Sequence, residues 1–146
     1  MKKIMFIGSI GCGKTTLCQR IIGDKLQYSK TQAVEFYPKM IDTPGEFIQH
    51  RRFYNALQMM AVEAEMIALV SNCQEEEQIF SPNFAQNFMK PSIGIITKID
   101  LCQDEDQLKN AEKRLRLAGV NKIFKVSAFK NYGMEELRDY LNKEVN

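Results

Sequence analysis

The chain has 146 residues, 45% of them apolar and 26% charged, with 20 basic against 18 acidic side chains and a formal net charge of +2. That length suffices for one ordinary domain with a real hydrophobic core, and the balance excludes a disordered or fibrous chain. The near-neutral charge excludes a strong field aimed at nucleic acid or an anionic membrane, and no stretch approaches the roughly 18 continuous apolar residues of a membrane span. Residues 1–146 are therefore expected to form a single domain, and a cytoplasmic location is expected.

In chain order, Met1-Lys2-Lys3 leads into the apolar Ile4 to Ile7, too short for a signal peptide and broken at once by Gly8-Ser9, so Lys3 to Ile7 reads as a buried first strand. Further strands are expected at Lys39 to Asp42, Met66 to Val70, Ile93 to Thr97 and Ile123 to Ser127, with a short edge strand at Ala33 to Tyr37 that Pro38 ends. Helices alternate with them. Their packing stripes are Phe53, Leu57 and Met60, then Leu108, Ala111 and Leu115, then Met134, Leu137 and Leu141. Asp104 with Gln107 resembles a capping box, and Ser81-Pro82 places a cap residue before a proline at a first helical position. Strands alternating with helices predict an α/β fold, a mostly parallel sheet in three layers with helices on both faces.

The chemistry begins at Gly8-Ser9-Ile10-Gly11-Cys12-Gly13-Lys14-Thr15, a GxxxxGK[ST] pattern placed directly after a strand and directly before a helix. Glycines let successive N–H groups turn inward as an anion nest, the helix adds its positive end, and Lys14 adds a full charge. This loop and the adjoining Thr16 are expected to hold a polyphosphate, with the Thr15 hydroxyl on magnesium. Asp42-Thr43-Pro44-Gly45 follows its own strand in DxxG form and is a switch candidate: Asp42 can hold the magnesium through water, and the Gly45 N–H can contact the terminal phosphate and move when it leaves. Asp-x-Pro-Gly is also ordinary turn chemistry, and its order after the phosphate loop is what singles it out. At Thr97-Lys98-Ile99-Asp100, the Asp100 carboxylate can accept from the two donors on one edge of guanine while the Lys98 stem lies along its face. Adenine presents no such pair. Ser127-Ala128 would supply an N–H to the guanine carbonyl oxygen.

The ordered set Gly8 to Thr15, Thr31, Asp42 to Gly45, Thr97 to Asp100 and Ser127-Ala128 resembles the five-motif signature of Ras-like GTPases. More narrowly, the segments KTQAVEFYPKMIDTPGEF and ITKIDL resemble the EutP/PduV family of small P-loop proteins of ethanolamine and propanediol utilisation. The resemblance implies a Ras-like P-loop NTPase fold, GTP/GDP as ligand with ATP/ADP as the alternative, Mg2+ held by Thr15, Thr31 and Asp42, and a cytoplasmic role near a bacterial microcompartment. Shell or utilisation proteins are the implied partners. Family members have been assigned to the GTPases or, in ethanolamine catabolism, to acetate kinase. On this reading Lys14, Thr31, Gly45 and Glu46 carry catalysis. A third class is a nucleotide-gated interaction module with negligible turnover.

Several residues depart from that pattern. Too few residues separate Thr31 from Asp42 for a full hairpin, so the second-strand edge is expected to be short. Glu46 stands where many relatives carry a water-orienting glutamine, and a carboxylate there repels the terminal phosphate, so slow hydrolysis is expected. Gly11 replaces the asparagine of potassium-dependent relatives. Thr97 replaces the commoner asparagine that ties the base motif to the phosphate loop. Arg51 and Arg52 read as solvated charges at a helix start, as Glu75-Glu76-Glu77 read as a solvated loop and His50 as a surface residue without a role. The four cysteines, Cys12, Cys18, Cys73 and Cys102, have neither metal spacing nor a disulfide pattern, and reduced thiols are expected. A lowered pKa at Cys12, near a helix N-terminus, is weighed against a plain filler role, which is preferred.

Overall fold

The computed structural model describes residues 3–22, 35–37 and 40–143. Six strands form one sheet, β1 (Ile4–Gly8), β2 (Glu35–Tyr37), β3 (Met40–Asp42), β4 (Met66–Asn72), β5 (Ser92–Thr97) and β6 (Lys122–Lys125), in the order β2-β3-β1-β4-β5-β6. All neighbours pair in parallel except β2 with β3, which run antiparallel. The strands of that hairpin have three residues each, which is the short edge expected.

Every residue of β1 is buried, and β4 is buried up to its last residue. Central parallel strands covered on both faces need such continuous apolar runs. Alternate side chains then serve opposite layers. Ile4 and Phe6 pack with Leu17 of α1 (Lys14–Ile22) and with Met134, Leu137 and Leu141 of α5 (Met134–Lys143). Met5 and Ile7 pack with Leu57 of α3 (Tyr54–Ala61) and with Ala111 and Leu115 of α4 (Glu105–Leu117). The Asp104 carboxylate caps α4 by accepting from the Gln107 N–H at 2.8 Å, while the Gln107 side chain accepts from the Gln103 N–H.

Two helical expectations are corrected. Phe53 does not lie in α3; it ends a 3-10 turn (Arg51–Phe53) after the short α2 (Glu46–Gln49) and stacks on Phe47, centroids 4.9 Å apart. Ser81-Pro82 opens no α-helix. Asn83 and Met89 take left-handed backbone, φ 59° and 52°, around a 3-10 segment at Phe84–Phe88. The amides of Asn83 and Ala85 donate to the carbonyls of Leu117 and Ala118 at the end of α4, which draws them out of a helical ladder.

Candidate functional site

The phosphate loop joins β1 to α1. Gly13 sits at φ 90°, a left-handed conformation that side-chain-bearing residues rarely adopt. Ser9, Cys12, Lys14 and Thr15 are buried, and Ile10 is exposed. Burial puts the Lys14 cation, 5% exposed, on the floor of the loop. Thr15 Oγ1 donates to Asp42 Oδ2 at 2.7 Å, so the end of β3 meets the start of α1. A buried hydroxyl beside a buried carboxylate is a set of hard oxygen donors, and these residues fit magnesium. Thr43 Oγ1 donates to the Phe6 carbonyl at 2.7 Å, fastening the DxxG turn to β1. A Cβ on Gly45 would stand 2.4 Å from the Ile10 nitrogen, so only glycine allows that turn to lie against the phosphate loop.

The base motif reaches the same loop. The Thr97 hydroxyl donates to the Cys12 carbonyl, and Lys98 Nζ donates to the Gly11 carbonyl at 2.8 Å. Threonine therefore makes the tether that the missing asparagine put in question. Lys98 itself is in left-handed backbone, φ 59°, before a 3-10 turn at Ile99–Leu101, the kind of strained position that surrounding contacts must hold. Asp100 Oδ1 accepts from Ser127 Oγ at 2.7 Å. Gly13, Thr16, Thr97, Lys98, Asp100, Leu101, Ser127, Ala128 and Phe129 line one cavity of about 310 Å³. Its size is that of a small-molecule site.

Two members of this wall, Leu101 and Phe129, and Arg20, which bonds to Ala128 of the wall, were not singled out from the sequence. Leu101 and Phe129 are half or more exposed yet face the cavity, and an exposed apolar pair flanking two base motifs was the available signal. Arg20 was invisible, because its Nε donates to the Ala128 carbonyl at 2.9 Å across 108 residues of sequence. The Ser127 N–H is engaged with the Tyr132 carbonyl, so of the two amides expected to serve a base at that dipeptide the Ser127 one is already used.

Other site expectations fare differently. Thr31 lies outside the described residues, and Glu46 begins α2, with its side chain outside them too. Cys12 has no lowered pKa. Burial pushes its thiol up, outweighing the Lys14 charge and the Lys14 amide that pull it down. Cys73 and Cys102 are not separate thiols; they are joined as a disulfide, Cα atoms 5.8 Å apart. Each follows the carboxyl end of one of two adjacent strands, β4 and β5, a proximity that spacing along the chain does not show. Arg51 and Arg52 are exposed as expected, with the Arg52 guanidinium 4.8 Å from the Phe53 ring centre.

The family model for ethanolamine utilisation – propanediol utilisation proteins, PduV-EutP, matches residues 1–143. The chain belongs to the PduV-EutP family. It is 44% identical over 142 residues to the propanediol utilization protein PduV of Citrobacter freundii, covering 97% of this chain and 94% of that one. It is 34% identical over 143 residues to a protein named probable acetate kinase EutP of Escherichia coli (strain K12), covering 97% and 89%. Among solved structures, the bacterial selenocysteine-specific elongation factor EF-Sec superposes with a TM-score of 0.71 at 23% identity, over 97% of this chain and 28% of that one. This PduV-EutP chain thus has the Ras-like P-loop fold. No helix among its described residues is long and apolar enough to cross a membrane.

Proposed function

We propose that this chain is one guanine-nucleotide-binding domain that hydrolyses GTP slowly with magnesium and serves ethanolamine or propanediol utilisation beside a bacterial microcompartment. The observation that carries the reading is the double tie from the base motif to the phosphate loop, Thr97 to Cys12 and Lys98 to Gly11. It holds Asp100 at a set distance from Lys14, as a ligand with an anionic tail and a base of fixed spacing requires.

The amides from Gly8 to Thr15 and the Lys14 ammonium hold the phosphate oxygens and take up charge as the terminal group leaves. Thr15 and Asp42, with Thr31, are the residues for magnesium, which when bound offsets phosphate charge. Gly45 offers its N–H to the terminal phosphate and releases it afterwards. Asp100, oriented by the Ser127 hydroxyl, accepts from the two N–H donors of guanine, and Ala128 donates to its carbonyl. Lys98, whose ammonium is fixed on Gly11, lays its stem across the base end of the cavity. Glu46 replaces a neutral water-orienting side chain, which keeps turnover slow or leaves a gated module with almost none.

Titration with GDP, GTP, ADP and ATP, with and without magnesium, tests this. Guanine nucleotides should bind more tightly, and equal affinity for adenine nucleotides would remove the base assignment. The name of the E. coli relative favours a second reading, phosphoryl transfer between a nucleotide and acetate on the same cradle. Acetyl phosphate formed above a Lys14→Ala control would establish that reading; none above it would exclude it.

A further inference from the structure

The loop bearing the base motif has a covalent attachment besides its hydrogen bonds. Cys73, directly after β4, is fully buried, and Cys102, directly after the 3-10 turn Ile99–Leu101, is half-buried. Their Cα separation of 5.8 Å lies within the range a disulfide spans. The Cys73 N–H donates to the Thr97 carbonyl at 2.9 Å, and Gln74 Nε2 donates to the Leu101 carbonyl at 3.2 Å. The stretch from Thr97 to Cys102 is therefore attached to Cys73-Gln74, just past the end of β4, at its start, near its end, and through sulfur at its last residue. Lys98 and Asp100 lie between those attachments. The remaining described cysteines, Cys12 and Cys18, are buried on the opposite face of the sheet and do not compete for the pair.

We propose that Cys73 and Cys102 are a reversible thiol-modification site that exchanges with small aliphatic disulfides, and that closing the bridge fixes the loop that reads the base. The consequence for nucleotide rests on the reading above; the sulfur chemistry does not. Cys102, the less buried of the two, is the entry point. Its thiolate attacks one sulfur of the small disulfide, that S–S bond breaks, and one small thiolate leaves. Cys73, giving its proton to solvent, then attacks the Cys102 sulfur and expels the second small thiolate. Two protein thiols are oxidised to one disulfide while the small disulfide is reduced to two thiols, so atoms and electrons balance. Disulfides in reducing compartments are commonly transient or redox-sensing, which suits a bridge placed beside a ligand site.

The test compares the full chain after complete reduction with the same chain after exposure to oxidised glutathione. Peptide mapping without reductant should find Cys73 linked to Cys102. Amide hydrogen exchange at Lys98 to Cys102 in nucleotide-free protein, and release of a fluorescent GDP, should both slow by at least about fivefold on bridging. The Cys102→Ser variant should give the same values after either treatment. Absence of the linked peptide, or linkage with unchanged exchange across Lys98 to Cys102, overturns the proposal. Failure of GDP to bind either form counts against the nucleotide reading alone, and hydrogen exchange still decides the bridge.

Discussion

At the proposed phosphate end the wall is main chain, the loop Gly8 to Gly13, of which Gly13 lines the cavity, followed by the buried Lys14 and by Thr15, which bonds to Asp42. At the base end it is side chains: Thr97 and Lys98 reach back to that loop, and Ser127 bonds to Asp100. A main-chain cradle grips any polyphosphate and carries no information about the base. The side-chain end can be altered one residue at a time, and on the proposed reading it is where choice between nucleotides resides. Binding strength and binding preference should therefore separate under mutation.

The largest effect is expected at Lys14. Lys14→Ala removes a buried cation from the cradle and should weaken GTP at least about a hundredfold, close to 2.7 kcal/mol. Calorimetric titration should show GTP and ATP falling together. A change in guanine preference instead would break the separation. Asp100→Asn is the converse: it should cost GTP about 1.5–3 kcal/mol, the scale of hydrogen bonds to a charged group, and leave inorganic triphosphate affinity unchanged. Parallel loss of both ligands would show that the base end also shapes the phosphate end.

Gly45→Ala probes the seam between the phosphate loop and the DxxG turn. The new methyl would meet the Ile10 backbone, at 2.4 Å from its nitrogen, and backbone has little room to yield. Overpacking of this kind costs about 1–3 kcal/mol, and urea unfolding should report it. Because the seam lies by the phosphates, GTP and ATP affinities should again fall together.

How much of this was legible in the sequence follows the same division. The strand, loop and helix of the proposed phosphate end were readable because they are local: Gly8 to Thr15 is contiguous, and β1 announces itself as an unbroken apolar run. At the proposed base end the sequence singled out Asp100, which the structure places on the cavity wall, but not what holds it there. Whether Thr97 could replace an asparagine depended on a hydroxyl reaching the Cys12 carbonyl, and Arg20 on Ala128, contacts between residues far apart in the chain. Cys73 and Cys102 were misread as separate thiols for the same reason, since strand adjacency, not spacing, brings them together. The 3-10 segment at Phe84–Phe88 was taken for a helix start because Ser81-Pro82 fits one locally, while the end of α4 captures its amides.

The smallest effect concerns Cys12, whose side chain lies under the main-chain wall. Burial raises its thiol pKa above the ordinary value, despite the opposing pull of Lys14. For a group raised on folding, the folded chain holds the proton more tightly than the unfolded one. Its contribution to stability is then complete below the unfolded thiol value of about 8.5 and is lost as pH rises through the higher folded value. Unfolding free energy measured from pH 7 upward should decline above that point, and more steeply in the natural chain than in Cys12→Ala. Equal slopes would mean that the loop opens to water around this thiol, contradicting the closed floor on which the phosphate end depends. Alkylation supplies the matching kinetic readout, because a buried protonated thiol should resist iodoacetamide at pH 8 until urea exposes it.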